Sequence, residues 1–318
     1  MFYGIRLTLK ALPTYSASAL CAGVIYFHIF LPHIPTFKKY ECEKLTFSQN
    51  KVATFPIYTF NFYIYKNHYL TTTIIMKRET TSWYSPALKK DMPIVAYGDY
   101  GFALLLVPTA AADYLEYERF QLMETLAPYI NSGKVRIFSV NSINKESWMN
   151  KEMQGAHKAI RQNQFNKYIF EEVIPFIKTN TSADTPIILC GASFGALHSM
   201  NLFLKRPDLI DGVIAMSGVY DLTEYTDGYW DEQVYFNSPA HYIPKLQDDW
   251  YLHHIRKSKH IHILTGSGDY EDPTATAKFS EILHAKGIPH DASIWGKEWK
   301  HDWPTWRAML PLYLETKF

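Results

Sequence analysis

Pro186-Ile187-Ile188-Leu189-Cys190-Gly191-Ala192-Ser193-Phe194-Gly195 is the stretch that decides the fold. Its first five residues are a short apolar run, as in a strand buried on both faces of a sheet. The next five match G-x-S-x-G. Beyond them Ala196, Leu197, Met200, Leu202, Phe203 and Leu204 recur at helical spacing, and Pro207 marks the stop. Strand, tight turn and helix in that order lift a serine hydroxyl clear of the backbone. The neighbouring chain then passes so close that only a residue without a Cβ fits, hence the flanking glycines. Ser193 is the candidate nucleophile, and Cys190 reads as a small core residue.

Working outward, strands and helices alternate from residue 76 onward, as in a parallel sheet with helical crossovers. Strands are expected at 104–107, 135–140, 213–216, 261–264 and 292–295. Helices are expected at 117–130, 165–177 and 274–285, with a last one from Pro304. This order is that of an α/β hydrolase: a mostly parallel sheet, helices on both faces and catalytic groups just past the carboxyl ends of the strands. A triad then runs Ser, acid, His along the chain. Asp269 and Glu271 share the turn Gly266-Ser267-Gly268-Asp269-Tyr270-Glu271-Asp272 after strand 261–264, and they stand as alternatives for the acid. Asp272 is a third carboxylate there, suited to capping the helix from Pro273. His301, between the last strand and the last helix, is the candidate base. His290 precedes its strand, and His198 lies within a helix.

Acyl transfer needs donors aimed at the developing alkoxide. The backbone N–H of Phe194 supplies one. The second is expected from Pro108-Thr109-Ala110-Ala111-Ala112-Asp113-Tyr114, with Ala110 N–H preferred and Thr109 or Ala111 adjacent to it. Aromatic residues crowd the connection after strand 213–216 and flank His301. Tyr220, Trp230 and Trp303 are the expected pocket residues. That connection is too short for a large cap domain.

Net charge is +1 over 318 residues, which gives no footprint for a nucleic-acid partner. Three cysteines make no disulfide framework and suit a reducing compartment, so a cytoplasmic location is expected. His253, His254, His260 and His262 lack the spacing of a metal site, so no metal is expected. Residues 1–75 differ in character: seven basic side chains against two acidic ones give +5, which leaves −4 for the rest. They are expected to be poorly ordered, or upstream sequence fused to a protein that starts at Met76. Within them 11–31 is a marginal signal or anchor, and only if it is genuine is the chain secreted or membrane-associated. The run 60–65 looks like a strand.

Over 76–318 the chain resembles the serine esterases of the esterase-D, feruloyl-esterase and antigen-85 type. The resemblance is carried by Gly191-Ala192-Ser193-Phe194-Gly195-Ala196, Ile214-Ala215-Met216-Ser217-Gly218-Val219-Tyr220-Asp221, Tyr235-Phe236-Asn237-Ser238-Pro239, and His301-Asp302-Trp303 with Trp306. It implies an α/β-hydrolase fold, Ser193 as nucleophile and His301 as base. Relatives with Trp-Glu where this chain has Tyr270-Glu271 keep Glu271 among the candidate acids. The expected activity is hydrolysis of a small-molecule carboxylic ester through an acyl-enzyme, without a cofactor. Acyl transfer to an alcohol and a catalytically silent binding module are the alternatives. Nothing in the sequence speaks to oligomeric state.

Overall fold

The computed structural model describes Arg6–Leu7, Phe60–Asn61 and residues 76–318 other than Ala111. The chain divides into two units, Met1–Thr72 and Thr73–Phe318. In the first, Arg6–Leu7 pairs antiparallel with Phe60–Asn61. The expected signal or anchor at 11–31, and the rest of the expected strand 60–65, lie outside the described residues. Among the described residues no helix is long and apolar enough to cross a membrane.

The second unit is built on eight strands: β1 (Arg78–Ser85), β2 (Lys90–Tyr97), β3 (Phe102–Val107), β4 (Val135–Val140), β5 (Ile187–Ala192), β6 (Gly212–Met216), β7 (His260–Thr265) and β8 (Asp291–Ile294). They form one sheet in the order β8-β7-β6-β5-β3-β4-β2-β1. β2 runs antiparallel to both its neighbours and every other pairing is parallel. The helices are α1 (Glu116–Arg119), α2 (Leu122–Asn131), α3 (Gly155–Tyr168), α4 (Ile174–Asn180), α5 (Phe194–Lys205), α6 (Glu232–Tyr235), α7 (Pro239–Tyr242), α8 (Asp249–Lys257), α9 (Pro273–Ala285) and α10 (Trp303–Thr316).

Central strands alternate their side chains between two apolar layers, so continuous apolar runs are required. Leu104, Leu106, Ile188 and Cys190 face one layer, where α2 and α10 contribute Leu126, Met309 and Leu310. Leu105, Val107, Ile187 and Leu189 face the other, against Phe165 of α3, Met200 and Phe203 of α5 and Phe279 of α9.

Register places the site. Val107 pairs with Gly191, Ala192 with Met216, Met216 with Leu264, and Thr265 with Ile294. The segments that leave β3, β5, β6, β7 and β8 therefore emerge side by side on one rim. The connection from β6 to β7 holds only short helices, α6 to α8, and no cap domain.

Several elements depart from the sequence reading. The hairpin β1–β2 was not anticipated. β1 is a polar edge strand in which only Ser85 is buried, so it lacks the apolar alternation that marks a strand. The helix expected at 117–130 is two helices, split where Gln121 takes φ 62°. The one expected at 165–177 begins at Gly155, and a π turn at Ile169–Val173 joins α3 to α4.

Candidate active site

Ser193 caps α5 with φ 55° and ψ −121°, a conformation that costs a non-glycine residue of order 1–3 kcal/mol. The turn is held from both sides. Ser193 N–H donates to Met216 O at 2.9 Å. A Cβ on Gly195 would lie 2.3 Å from Val107 O, and one on Gly191 would lie 2.3 Å from Gly195 O. Ser193 is partly exposed between buried neighbours Ala192 and Phe194.

Two loops are fastened together to present the other polar groups. Gly268 N–H donates to Trp299 O at 2.8 Å, and His301 N–H donates to Asp269 O at 3.0 Å. Ser267 Oγ–H donates to Trp295 O at 2.7 Å. His301 Nδ1 lies 3.0 Å from Glu271 Oε2. The Glu271 side chain is 1% exposed, against 25% for His301. Glu271 also accepts from Ser217 Oγ–H at 2.6 Å, Thr265 Oγ1–H at 3.2 Å and Gly266 N–H at 3.2 Å. Burial by itself would raise the Glu271 pKa. The hydrogen bonds from His301 and Ser217, with the His301 charge and Gly266 N–H, outweigh it, and the net shift is downward. The carboxylate stays ionised, so Nδ1 carries the proton facing it and Nε2 is left as the acceptor.

Of the two alternative acids, Glu271 is therefore the one on the imidazole. Asp269 forms an ion pair with Lys300 at 2.6 Å, with both side chains more than half exposed. Tyr270, at φ 65°, turns the chain between them and is itself 94% exposed. Asp272 caps α9 by accepting from Ala275 N–H at 3.0 Å. Among the described residues no hydrogen bond joins Ser193 to His301, although the register brings both segments to the same rim. That contact of a triad is often long without substrate.

The loop after β3 is fixed by a buried acid that no sequence motif marks. Glu116, 5% exposed, accepts from Thr109 N–H at 2.9 Å and also from Thr109 Oγ1–H. Burial raises the Glu116 pKa, against the hydrogen bonds from Thr109. Thr109 N–H is thus committed, while no acceptor among the described residues holds Ala110 N–H. Phe194 N–H, in the first turn of α5, has no acceptor inside the helix. Asn144 Nδ2–H donates to Thr109 O at 3.3 Å and Asn144 Oδ1 lies 2.7 Å from His198 Nε2, so His198 braces the loop from α5.

Ser217 is the second residue missed. It sits just past β6 at φ 51°, and its Oγ accepts from Trp306 Nε1–H at 2.9 Å. The indole in turn packs edge-on to His301, with ring centroids 5.3 Å apart. The only sequence signal was Ser217-Gly218 directly after a buried strand.

Two of the three aromatic expectations, Tyr220 and Trp303, need correction. Tyr220 is 2% exposed and stacked on Phe279, and it belongs to the main core instead of a pocket wall. Trp303 is 8% exposed between Phe120, stacked at 4.5 Å, and Trp306. Trp230 is 41% exposed and packs edge-on to His241. Phe194, next to Ser193 in the chain, belongs to a separate buried apolar cluster with Trp148, Leu197, Leu222 and Val234, and Ala110 and Tyr225 pack against it. Among the described residues no group of three or more His, Cys, Asp or Glu side chains converges to hold a metal.

The sequence model of the family described as "Putative esterase" matches residues 116–315. The chain belongs to this esterase family. As an esterase of the α/β-hydrolase fold, it resembles several solved structures. A ferulic acid esterase, AmCE1/Fae1A from Anaeromyces mucronatus, aligns with TM-score 0.57 and 16% identity over 76% of this chain and 91% of that one. S-formylglutathione hydrolase from Staphylococcus aureus aligns with TM-score 0.56 and 15% identity over 76% and 96%. MPT51 from Mycobacterium tuberculosis aligns with TM-score 0.57 and 15% identity over 75% and 97%. At these identities the likeness is one of fold. No sequence match was found among curated proteins. Family membership makes the chain a carboxylic ester hydrolase.

Proposed function

We propose that Ser193, His301 and Glu271 form the triad of this esterase. Ser193 Oγ attacks the ester carbonyl while His301 Nε2 takes its proton. The tetrahedral alkoxide is held by the N–H groups of Phe194 and Ala110. The alcohol departs with the proton from His301 and leaves an acyl group on Ser193. Water, deprotonated by the same imidazole, then releases the carboxylic acid and restores the serine. Glu271 holds the ring in the tautomer that leaves Nε2 free, and it stabilises the imidazolium.

One observation carries this reading: an almost fully buried, ionised carboxylate 3.0 Å from the Nδ1 of a partly exposed histidine. Such a pair on the rim that bears a strained G-x-S-x-G serine is the constellation acyl transfer requires. Ser193→Ala is expected to lower kcat on p-nitrophenyl acetate by at least about 10³-fold, the scale of losing a triad member. A fluorophosphonate should label Ser193 in the wild-type chain. An unlabelled Ser193 in folded protein would favour a silent binding module. Adding an alcohol and analysing products separates hydrolysis from acyl transfer.

A further inference from the structure

At the opposite end of α5 from Ser193 lies a cavity of about 670 Å3 that the esterase chemistry does not use. The helix is 12 residues long, so the two places are about 18 Å apart along its axis. The walls include Phe170 from the π turn, Phe236 at the end of α6 and Tyr251 of α8. Two cations reach it, Lys205 and Arg206. Arg206 is committed: its Nε–H and Nη2–H donate to the two carboxylate oxygens of Asp208 at 2.8 and 2.7 Å. Lys205 is not. Among the described residues its ammonium has no hydrogen bond and no ion pair. The one carboxylate in the lining, Glu232, is exposed and lies outside ion-pair distance. Burial pushes the Lys205 ammonium down to about 8, so it is still mostly charged at neutral pH.

Lys205 is half-buried at the cavity wall, and a cation with no partner in the protein gains a charge-assisted hydrogen bond from an anion brought beside it. The surrounding aromatic surface selects a flat apolar body, and the volume suits a small molecule. We propose that this cavity is a second ligand site, which binds an aryl monocarboxylate through Lys205. The inference stands apart from the triad assignment, since no residue of the cavity belongs to it.

The test uses the full chain and the fluorescent probe 2-naphthoate, with neutral 2-naphthalenemethanol as control. Binding is followed by fluorescence titration at pH 7 to wild type, Lys205→Met and Lys205→Arg. Lysine accessibility is mapped in parallel by reductive methylation and peptide mass analysis. The expected results are at least about tenfold weaker binding to Lys205→Met, retention in Lys205→Arg, and no comparable binding of the alcohol. Naphthoate should also slow methylation of Lys205. Equal binding to wild type and Lys205→Met, or undiminished methylation of Lys205, would overturn the proposal and place the probe elsewhere, the catalytic rim included. Thermal melting checks that Lys205→Met is folded. Removing an unpaired cation from an apolar wall should leave its Tm unchanged or raised.

Discussion

Glu271 and Asp269 lie two residues apart on one turn, and their environments send them to different tasks. Exposed Asp269 meets a lysine that water screens, a pairing that contributes little. Glu271 is enclosed and carries hydrogen bonds from three residues besides His301. Glu271→Gln should therefore lower kcat by at least about 10²-fold, while Asp269→Asn stays within about threefold, assayed side by side on one ester. Equal losses would remove Glu271 from the proposed triad. Ser217 acts one step further out, as a positioning residue. Ser217→Ala deprives Glu271 of its shortest hydrogen bond and leaves Trp306 Nε1–H without its acceptor. Unmade buried bonds cost about 1–3 kcal/mol, which corresponds to roughly 5- to 150-fold in kcat with KM little changed. A rise in KM at constant kcat would contradict this. The sequence left the two acids open because both spacings reach the rim. Only the left-handed turn at Tyr270 sorts them, and φ 65° at a tyrosine has no signature in residue type.

At the scale of elements, the strand–turn–helix unit from Ile187 to Lys205 was legible because its demands are steric and local. Glycines at 191 and 195 report a close approach, and the structure places backbone atoms where their Cβ atoms would be. Gly195→Ala has no flexible neighbour to displace, since the obstacles are Val107 O and Pro108 O. The loop after β3 must shift, so we expect Tm to fall by roughly 5 °C or more, as for a loss of about 2 kcal/mol in a domain of this size. Differential scanning calorimetry checks it, and an unchanged Tm would mean that the elbow is looser than described. The first turns of α3 were illegible for the opposite reason. Lys158 and Gln162 are buried there, where apolar residues would mark the core face. Lys158 is paired with Asp227 at 2.6 Å, and Gln162, Asn166 and Asn237 are chained by hydrogen bonds of 2.9 and 2.8 Å. A buried polar chain of this kind erases the periodicity on which helix recognition depends.

Across the whole molecule, buried histidines set the response to acid. Burial lowers His198 to about 3, where Asn144 is the only polar partner of its ring among the described residues. Burial likewise lowers His262 to about 4, against the opposing pull of Asp291, with His260 and Lys317 also acting to lower it. Both are neutral in the fold and take up a proton near pH 6.5 once unfolded. Below that pH the unfolded chain binds more protons than the folded one, so stability falls as pH drops. The slope is up to about 1.4 kcal/mol per pH unit for each histidine, and it flattens as each folded-state value is reached. Glu271 adds a separate loss at lower pH: its folded value is depressed, so its contribution is present above the ordinary carboxylate range and disappears as pH falls through the folded value. Urea unfolding of the full chain at pH 7, 6 and 5 should show this decline. His198→Gln keeps a side-chain N–H for Asn144 Oδ1 but cannot titrate. It should flatten the decline between pH 6 and 5 by up to about 1.4 kcal/mol per pH unit, whatever its effect at pH 7. Parallel curves for the two proteins would show that His198 is reached by protons in the native state, and that the bracing of the loop after β3 is more open to water than its burial indicates.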